Sequence, residues 1–401
     1  TVIADATGRW TLTTNALPDG PASITAVQTD VAGNVSGVSP PVTVTIDTQV
    51  QAPTIESVGT DTGVSITDGI TRDSTLEIRG KAENGATVVV TVDGAVIGSV
   101  VADGAGNWSF TTPALTDGTK EIRATQTDVA GNVSAASPPV SMTIDTAVAA
   151  PIIDSVGTGT GVPGTDKATT DSTPEITGRA EGGAMVTVTV NGAVVGSVVA
   201  DTAGNWRLTT APLGDGLKEI RATQTDVAGN VSVASPPSTM TIDTAVLPPS
   251  IDSVGTDTGV SSSDRVTNDN TLDIQGRAEP GATVVVRIDG TPVGSAIANA
   301  SGYWTFTTVA QSDGVKSITA VQTDVAGNQS AASPPYTMTV DTTVSAPTID
   351  TVGTDTGASS TDFITNDKTL EDSGRAENGA TVHVTIDGAV VGSVIADATG
   401  Q

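Results

Sequence analysis

The 401-residue sequence sets 17 Lys and Arg against 45 Asp and Glu, a formal net charge of −28, and it contains no cysteine. That balance argues against nucleic acid and anionic membrane as partners, because both require basic surfaces, and it favours cations instead. A disulfide framework is excluded outright, so a thin extracellular fold of this composition needs another staple, for which metal is the usual substitute. Acidity also keeps surface proteins soluble and accompanies halophilic habitats, two readings that composition leaves open.

The chain is a repeat. The heptapeptide Gln-Thr-Asp-Val-Ala-Gly-Asn stands at 28–34, 126–132, 224–230 and 322–328, with its aspartates at 30, 128, 226 and 324. The interval is therefore 98 residues (128 − 30), and a fixed domain-sized period marks a tandem array. Residues 1–9 match 393–401 at all but the first and last positions, so the sequence is expected to begin and end inside a repeat. The expected boundaries are 1–47 for a C-terminal half, then 53–145, 151–243 and 249–341 for intact repeats, and 347–401 for an N-terminal half.

Residues 53–145 serve as the template for the elements in order. Strands are expected at 54–58, 75–82, 87–92, 96–102, 108–112, 121–127 and 140–144, each rich in β-branched residues and bounded by Gly, Asn and Asp. Asp93-Gly94 is a two-residue hairpin signal. Residues 59–74 form a polar stretch long enough to suggest a function or an imposed order. No segment sustains a helical period. Seven short strands in about a hundred residues give the fold class, all-β, as a tandem array of seven-stranded immunoglobulin-like β-sandwich domains. One tryptophan per repeat (Trp10, Trp108, Trp206, Trp304) is expected to plug a core otherwise built from Val, Ile, Leu, Ala and Thr methyls. Each repeat ends in Asp-Thr and reaches a proline within a few residues (Asp47…Pro53, Asp145…Pro151, Asp243…Pro249), a short linker that favours a stiff string.

Laying the strands out in immunoglobulin order brings the B–C turn, the D–E turn, the F–G loop and the incoming linker to one end of each repeat. Several carboxylates meeting there require a counter-charge. Ca²⁺, which takes six to eight hard oxygen ligands in flexible geometry, suits such a set, whereas Zn²⁺ would want the missing cysteines and histidines. The first-rank metal ligands are Asp47, Glu83, Asp103 and Asp128 at one junction, and Asp145, Glu181, Asp201 and Asp226 at the next. At the third they are Asp243, Glu279 and Asp324, with Asn299 in place of the D–E turn acid and weaker binding expected. A second-rank site is expected in the polar stretch, from Asp68 and Asp73 with their counterparts Asp166 and Asp171, and Asp264 and Asp269. Asp is also an ordinary turn residue, the plain alternative for all of these. His383 is the only histidine, and no nucleophile–base set is present, so no enzyme is expected.

The ordered motifs Thr75-Leu-Glu-Ile-Arg-Gly-Lys-Ala-Glu-Asn-Gly-Ala-Thr-Val88, Ala105-Gly-Asn-Trp-Ser-Phe110 and Thr127-Asp-Val-Ala-Gly-Asn132 closely resemble the bacterial immunoglobulin-like repeats of giant type I-secreted, RTX-like and biofilm-associated adhesins. The resemblance runs along the entire chain. It implies an extracellular, cell-surface extender stalk, stiffened by calcium at junctions that by position are Asp47/Asp128, Asp145/Asp226 and Asp243/Asp324. The partners it implies are neighbouring repeats of the same chain and a surface or host ligand held by other domains. The competing reading is a module that itself binds carbohydrate or host protein. That reading expects one repeat with surplus exposed aromatics, for which Tyr303 and Tyr336 are the mild candidates.

Overall fold

The computed structural model describes residues 1–160, 167–259, 261–356 and 358–401. All regular elements among them are strands. By packing, the chain falls into two compact units, Thr1–Thr158 with Ser172–Thr241, and Gly159–Asp171 with Ile242–Gln401.

The first unit begins with a single antiparallel pair, β1 (Gly20–Ile24) against β2 (Val42–Ile46). Repeat I (53–145) then builds a complete sandwich. Its strands are β3 (Thr54–Val58), β4 (Ile70–Thr71), β5 (Glu77–Lys81), β6 (Thr87–Val92), β7 (Ala95–Val101), β8 (Asn107–Thr111), β9 (Gly118–Thr127) and β10 (Val140–Ile144). One sheet has the order β3-β5-β8 and the other β4-β10-β9-β6-β7. The seven expected strands all form, and β4 is a two-residue addition that pairs parallel to β10 inside the polar stretch.

The fourth long strand, β7, lies in the same sheet as β6, β9 and β10. The cause is local. Asp93 and Gly94 take φ of 49° and 80°, the left-handed pair of a tight hairpin, which returns the chain beside the strand it has just left. Asp93 Oδ1 also accepts the backbone N–H of Glu121, tying the hairpin to β9. The alternation Thr-Val-Val-Val-Thr-Val on β6 then buries Val88, Val90 and Val92 on one face, where Ile122 and Ala124 of β9 meet them.

Trp108 of β8 closes the core, covered by glycine on the neighbouring strand. A Cβ at Gly80 would stand 1.9 Å from the Thr54 carbonyl oxygen and 2.7 Å from Trp108 Cζ2, so the indole fits because that position has no side chain. Gly178 covers Trp206 in repeat II (151–243) and Gly276 covers Trp304 in repeat III (249–341) in the same way. Repeat III, in the second unit, repeats both sheets with Ser250–Val254, Asp273–Arg277 and Tyr303–Thr307 in one, and Val266–Thr267, Tyr336–Val340, Gly314–Thr323, Thr283–Ile288 and Thr291–Ile297 in the other.

Candidate metal centre

Three elements converge at the leading end of each repeat, and the F–G loop is the most constrained of them. Asp128 is buried, and its Oδ1 accepts the backbone N–H groups of Ala130 (2.9 Å) and Asn132 (2.8 Å) while Oδ2 accepts Asn132 Nδ2 (2.8 Å). Gly131 supplies the left-handed turn, φ 95°, that lets the loop close over the carboxylate. These bonds hold the Asp128 carboxyl below the ordinary aspartate range, the Asn132 side chain contributing most. Asp226 and Asp324 make the same two bonds to the backbone N–H and Nδ2 of Asn230 and Asn328.

Around this loop the acids assemble. Asp47 of the linker, Glu83 of the β5–β6 turn and Asp128 each place a carboxylate oxygen within 4.8 Å of the others. Asp145, Glu181 and Asp226 do the same, as do Asp243, Glu279 and Asp324. Among the described residues no Lys or Arg forms an ion pair with any of these nine. Like charges in a half-buried site raise one another's proton affinity, and Glu279 shows it. Its carboxyl is pushed above the usual range, first by desolvation and then by the charges of Asp324 and Asp243.

That shift has a sign that can be tested. A glutamate whose folded-state pKa is raised binds its proton more tightly when folded. Its stabilising contribution is complete below the unfolded-state pKa and is lost as pH rises through the folded-state one. In chelator, repeat III is therefore expected to gain stability as pH is lowered from neutral through the range just above ordinary glutamate values. Urea midpoints measured against pH should show that gain, and Glu279→Gln should abolish it.

The other acids expected at these junctions stand outside the groups of three. Asp103 Oδ1 accepts the N–H of Ala105 and Asn107, Asp201 Oδ1 that of Ala203 and Asn205, and Asn299 Oδ1 that of Ser301 and Tyr303. Each closes its own turn, so the Asn at 299 leaves the three carboxylates of its junction intact. In the polar stretch, Asp68 and Asp264 take the N–H of Ile70 and Val266, and Asp73 and Asp269 take the N–H and hydroxyl of Thr75 and Thr271. The Asp171 N–H donates to Thr169 Oγ1. Asp166 lies outside the described residues. The polar stretch brings no three acids together among the described residues.

Sequence reasoning missed two amides. Gln126, buried on β9, accepts the Glu83 N–H on Oε1 (2.8 Å) and donates Nε2 to the linker carbonyl of Gln51 (2.7 Å). Asn132 Nδ2 reaches the Asp47 carbonyl (3.1 Å). Gln224 and Asn230 hold Glu181, Ala149 and Asp145 likewise, and Gln322 and Asn328 hold Glu279, Leu247 and Asp243. The signal was available, since both residues belong to the recurring heptapeptide.

Paired three- and five-stranded sheets around a buried tryptophan, repeated in tandem with acids gathered at the linkers, define a string of immunoglobulin-like sandwiches. The chain belongs to the bacterial Ig-like domain family, which it matches over residues 1–48, 49–146, 147–244 and 246–342. No curated protein matches it significantly. Among solved structures it is similar to a 1.5-MDa bacterial ice-binding adhesin described for host cell surface retention, at 19% identity over 73% of this chain and 98% of that one, TM-score 0.36. It is similar to the fibronectin(III)-like modules of Clostridium thermocellum CbhA at 15% identity over 47% and 93% of the two chains, TM-score 0.26. A biofilm-associated protein BSP domain matches at 12% identity over 72% and 67%, TM-score 0.18.

Proposed function

We propose that this chain is a calcium-rigidified extender segment of a large bacterial cell-surface adhesin, secreted and projecting a distal adhesive domain for attachment or biofilm formation. The repeats in this reading are bounded at 53–145, 151–243 and 249–341, with partial repeats at 1–47 and 347–401, and no catalytic step is assigned to them. One observation carries the reading: the same trio of linker, β5–β6-type turn and F–G loop carboxylates recurs at every complete junction. Three carboxylates offer up to six hard oxygens with no nitrogen or sulfur donor, a set that fits Ca²⁺ with carbonyls or water completing the shell. The ion would supply the counter-charge that no basic side chain provides. Gln126 and Asn132 hold the linker against the following repeat beforehand, so the ion would meet a partly ordered site.

Extracellular calcium modules bind at about 10⁻⁴–10⁻³ M, so the sites would stay free where calcium is scarce and fill outside the cell. A ligand at ten times its Kd stabilises by about 1.4 kcal/mol per site. Calcium is accordingly expected to raise the melting temperature of the chelator-treated chain by about 5–10 °C. Glu181→Gln is the selective probe, since Glu181 Oε1 has only a 3.2 Å bond from the Ala149 N–H to lose. It should remove the calcium response of that junction and leave stability in chelator equal or higher, through relief of like-charge repulsion. A melting temperature indifferent to calcium would sink the proposal.

A further inference from the structure

The long polar stretch after the first strand of a repeat can do a task that needs no carboxylate cluster. In repeat I it lies against the F–G loop of repeat II. Thr62 Oγ1 donates to the Ala228 carbonyl (2.9 Å), the Val64 N–H to the Val227 carbonyl (3.2 Å) and Arg72 Nη1 to the Gly229 carbonyl (2.7 Å). The threonine is oriented by its surroundings. Thr71 Oγ1 gives its proton to the Thr60 carbonyl, and the Arg72 N–H donates to Thr62 Oγ1 at 2.9 Å, which leaves the Thr62 proton for Ala228. Gly63, at φ 102°, lets the two backbones touch: a Cβ there would stand 2.0 Å from the Val227 oxygen. Thr160 of repeat II repeats the threonine bonds against repeat III, donating to the Ala326 carbonyl at 2.9 Å and accepting the Thr170 N–H at 2.7 Å.

Exposure supplies an internal control. In the F–G loop of repeat I, which meets no such stretch within these 401 residues, Val129 is 81% exposed and Ala130 is exposed. Ala228 and Ala326, each covered by a preceding stretch, are 0% exposed. Where no loop lies against the stretch, in repeat III, Thr258 Oγ1 turns to Asn268 Oδ1 (3.0 Å), and a Cβ on Gly259 would meet nothing within 4 Å.

We propose that this stretch is a socket for the Val-Ala-Gly turn of the following repeat, a second fastening between neighbours that holds with or without a metal ion. It grips carbonyls on one side of the F–G loop, while the buried aspartate of that loop faces the linker acids. The fastening therefore goes beyond the calcium reading and does not depend on it.

The natural absence of cysteine allows a clean test. Spin labels at Ser109→Cys and Ser197→Cys, one in each of repeats I and II, report their distance distribution in chelator and in calcium. Gly63→Ala is compared with Gly259→Ala, which has a matching φ (105°) and hence similar strain but no neighbour to strike. Arg72→Ala serves as a strain-free second variant. In chelator, Gly63→Ala and Arg72→Ala should broaden the distribution and Gly259→Ala should not. Amide exchange at Val64 should accelerate about tenfold in Gly63→Ala, equivalent to about 1.4 kcal/mol. Equal widths for the parent, Gly63→Ala and Arg72→Ala in chelator overturn the socket and leave the calcium reading untouched. A parent chain indifferent to calcium, with Gly63→Ala still broadened, removes the calcium reading and supports the socket.

Discussion

Replacing Asp226 with alanine is expected to destabilise repeat II by about 3 kcal/mol even in chelator, because hydrogen bonds to a charged group contribute roughly 1.5–3 kcal/mol each. The carboxylate is 1% exposed and accepts both the backbone N–H and the Nδ2 of Asn230 at 2.8 Å. Alanine would leave those donors without their acceptor inside the loop, and Asn230 Nδ2 could no longer be held in line for the Asp145 carbonyl (2.8 Å). The loop would lose its internal staple and its hold on the linker together. Calcium would add a further loss on top of this floor, since Asp226 also belongs to an acid trio. Chemical denaturation in the two conditions separates the terms. A loss confined to calcium would mean that Asp226 is a ligand without a structural duty, contrary to the geometry.

The second large effect concerns the core. Trp206→Ala is expected to cost repeat II about 4 kcal/mol, the range for deleting a buried aromatic ring from a packed interior. Trp206 is 3% exposed, and Gly178 lies so close that a Cβ there would stand 2.5 Å from Cζ2. No neighbouring side chain can swing in to refill the space above a glycine. The loss should appear in calorimetry as one transition displaced downward by about 20 °C. The transitions of repeats I and III should stay in place, since Trp108 and Trp304 sit in cores of their own. Trp206→Phe should cost far less than alanine, because phenylalanine keeps most of the ring and removes Nε1, a buried donor that has no partner. Loss of all three transitions together would contradict separate cores.

These contrasts show which features were legible beforehand. Strand positions and the Asp93-Gly94 hairpin could be read because period-two alternation and left-handed turn residues act over a few residues. The sheet that β7 joins was less evident, although the same hairpin decides it. The clustering of Asp47, Glu83 and Asp128 followed from placing strands in order, and the heptapeptide supplied its anchor. Asp103 marks the boundary of that reasoning. As a residue type it is indistinguishable from Asp128, and its bonds to Ala105 and Asn107 repeat those of Asp128 to Ala130 and Asn132, so only the path of the backbone shows that it stands outside the trio. The pairing of Thr62 with Ala228 was beyond reach for a different reason. It joins residues 166 apart in sequence and draws on a threonine hydroxyl and bare carbonyls, groups that carry no motif.

The spacing of the junction bonds bears on how such a chain can change in evolution. The glutamine-to-linker bonds all span 75 residues, the asparagine-to-linker bonds 85, and the threonine-to-loop bonds 166. Excising or duplicating one period in frame preserves every one of these separations, so each new boundary finds its partners already in place. Reach can then be lengthened or shortened by whole steps through unequal recombination, with no compensating substitution at the seam.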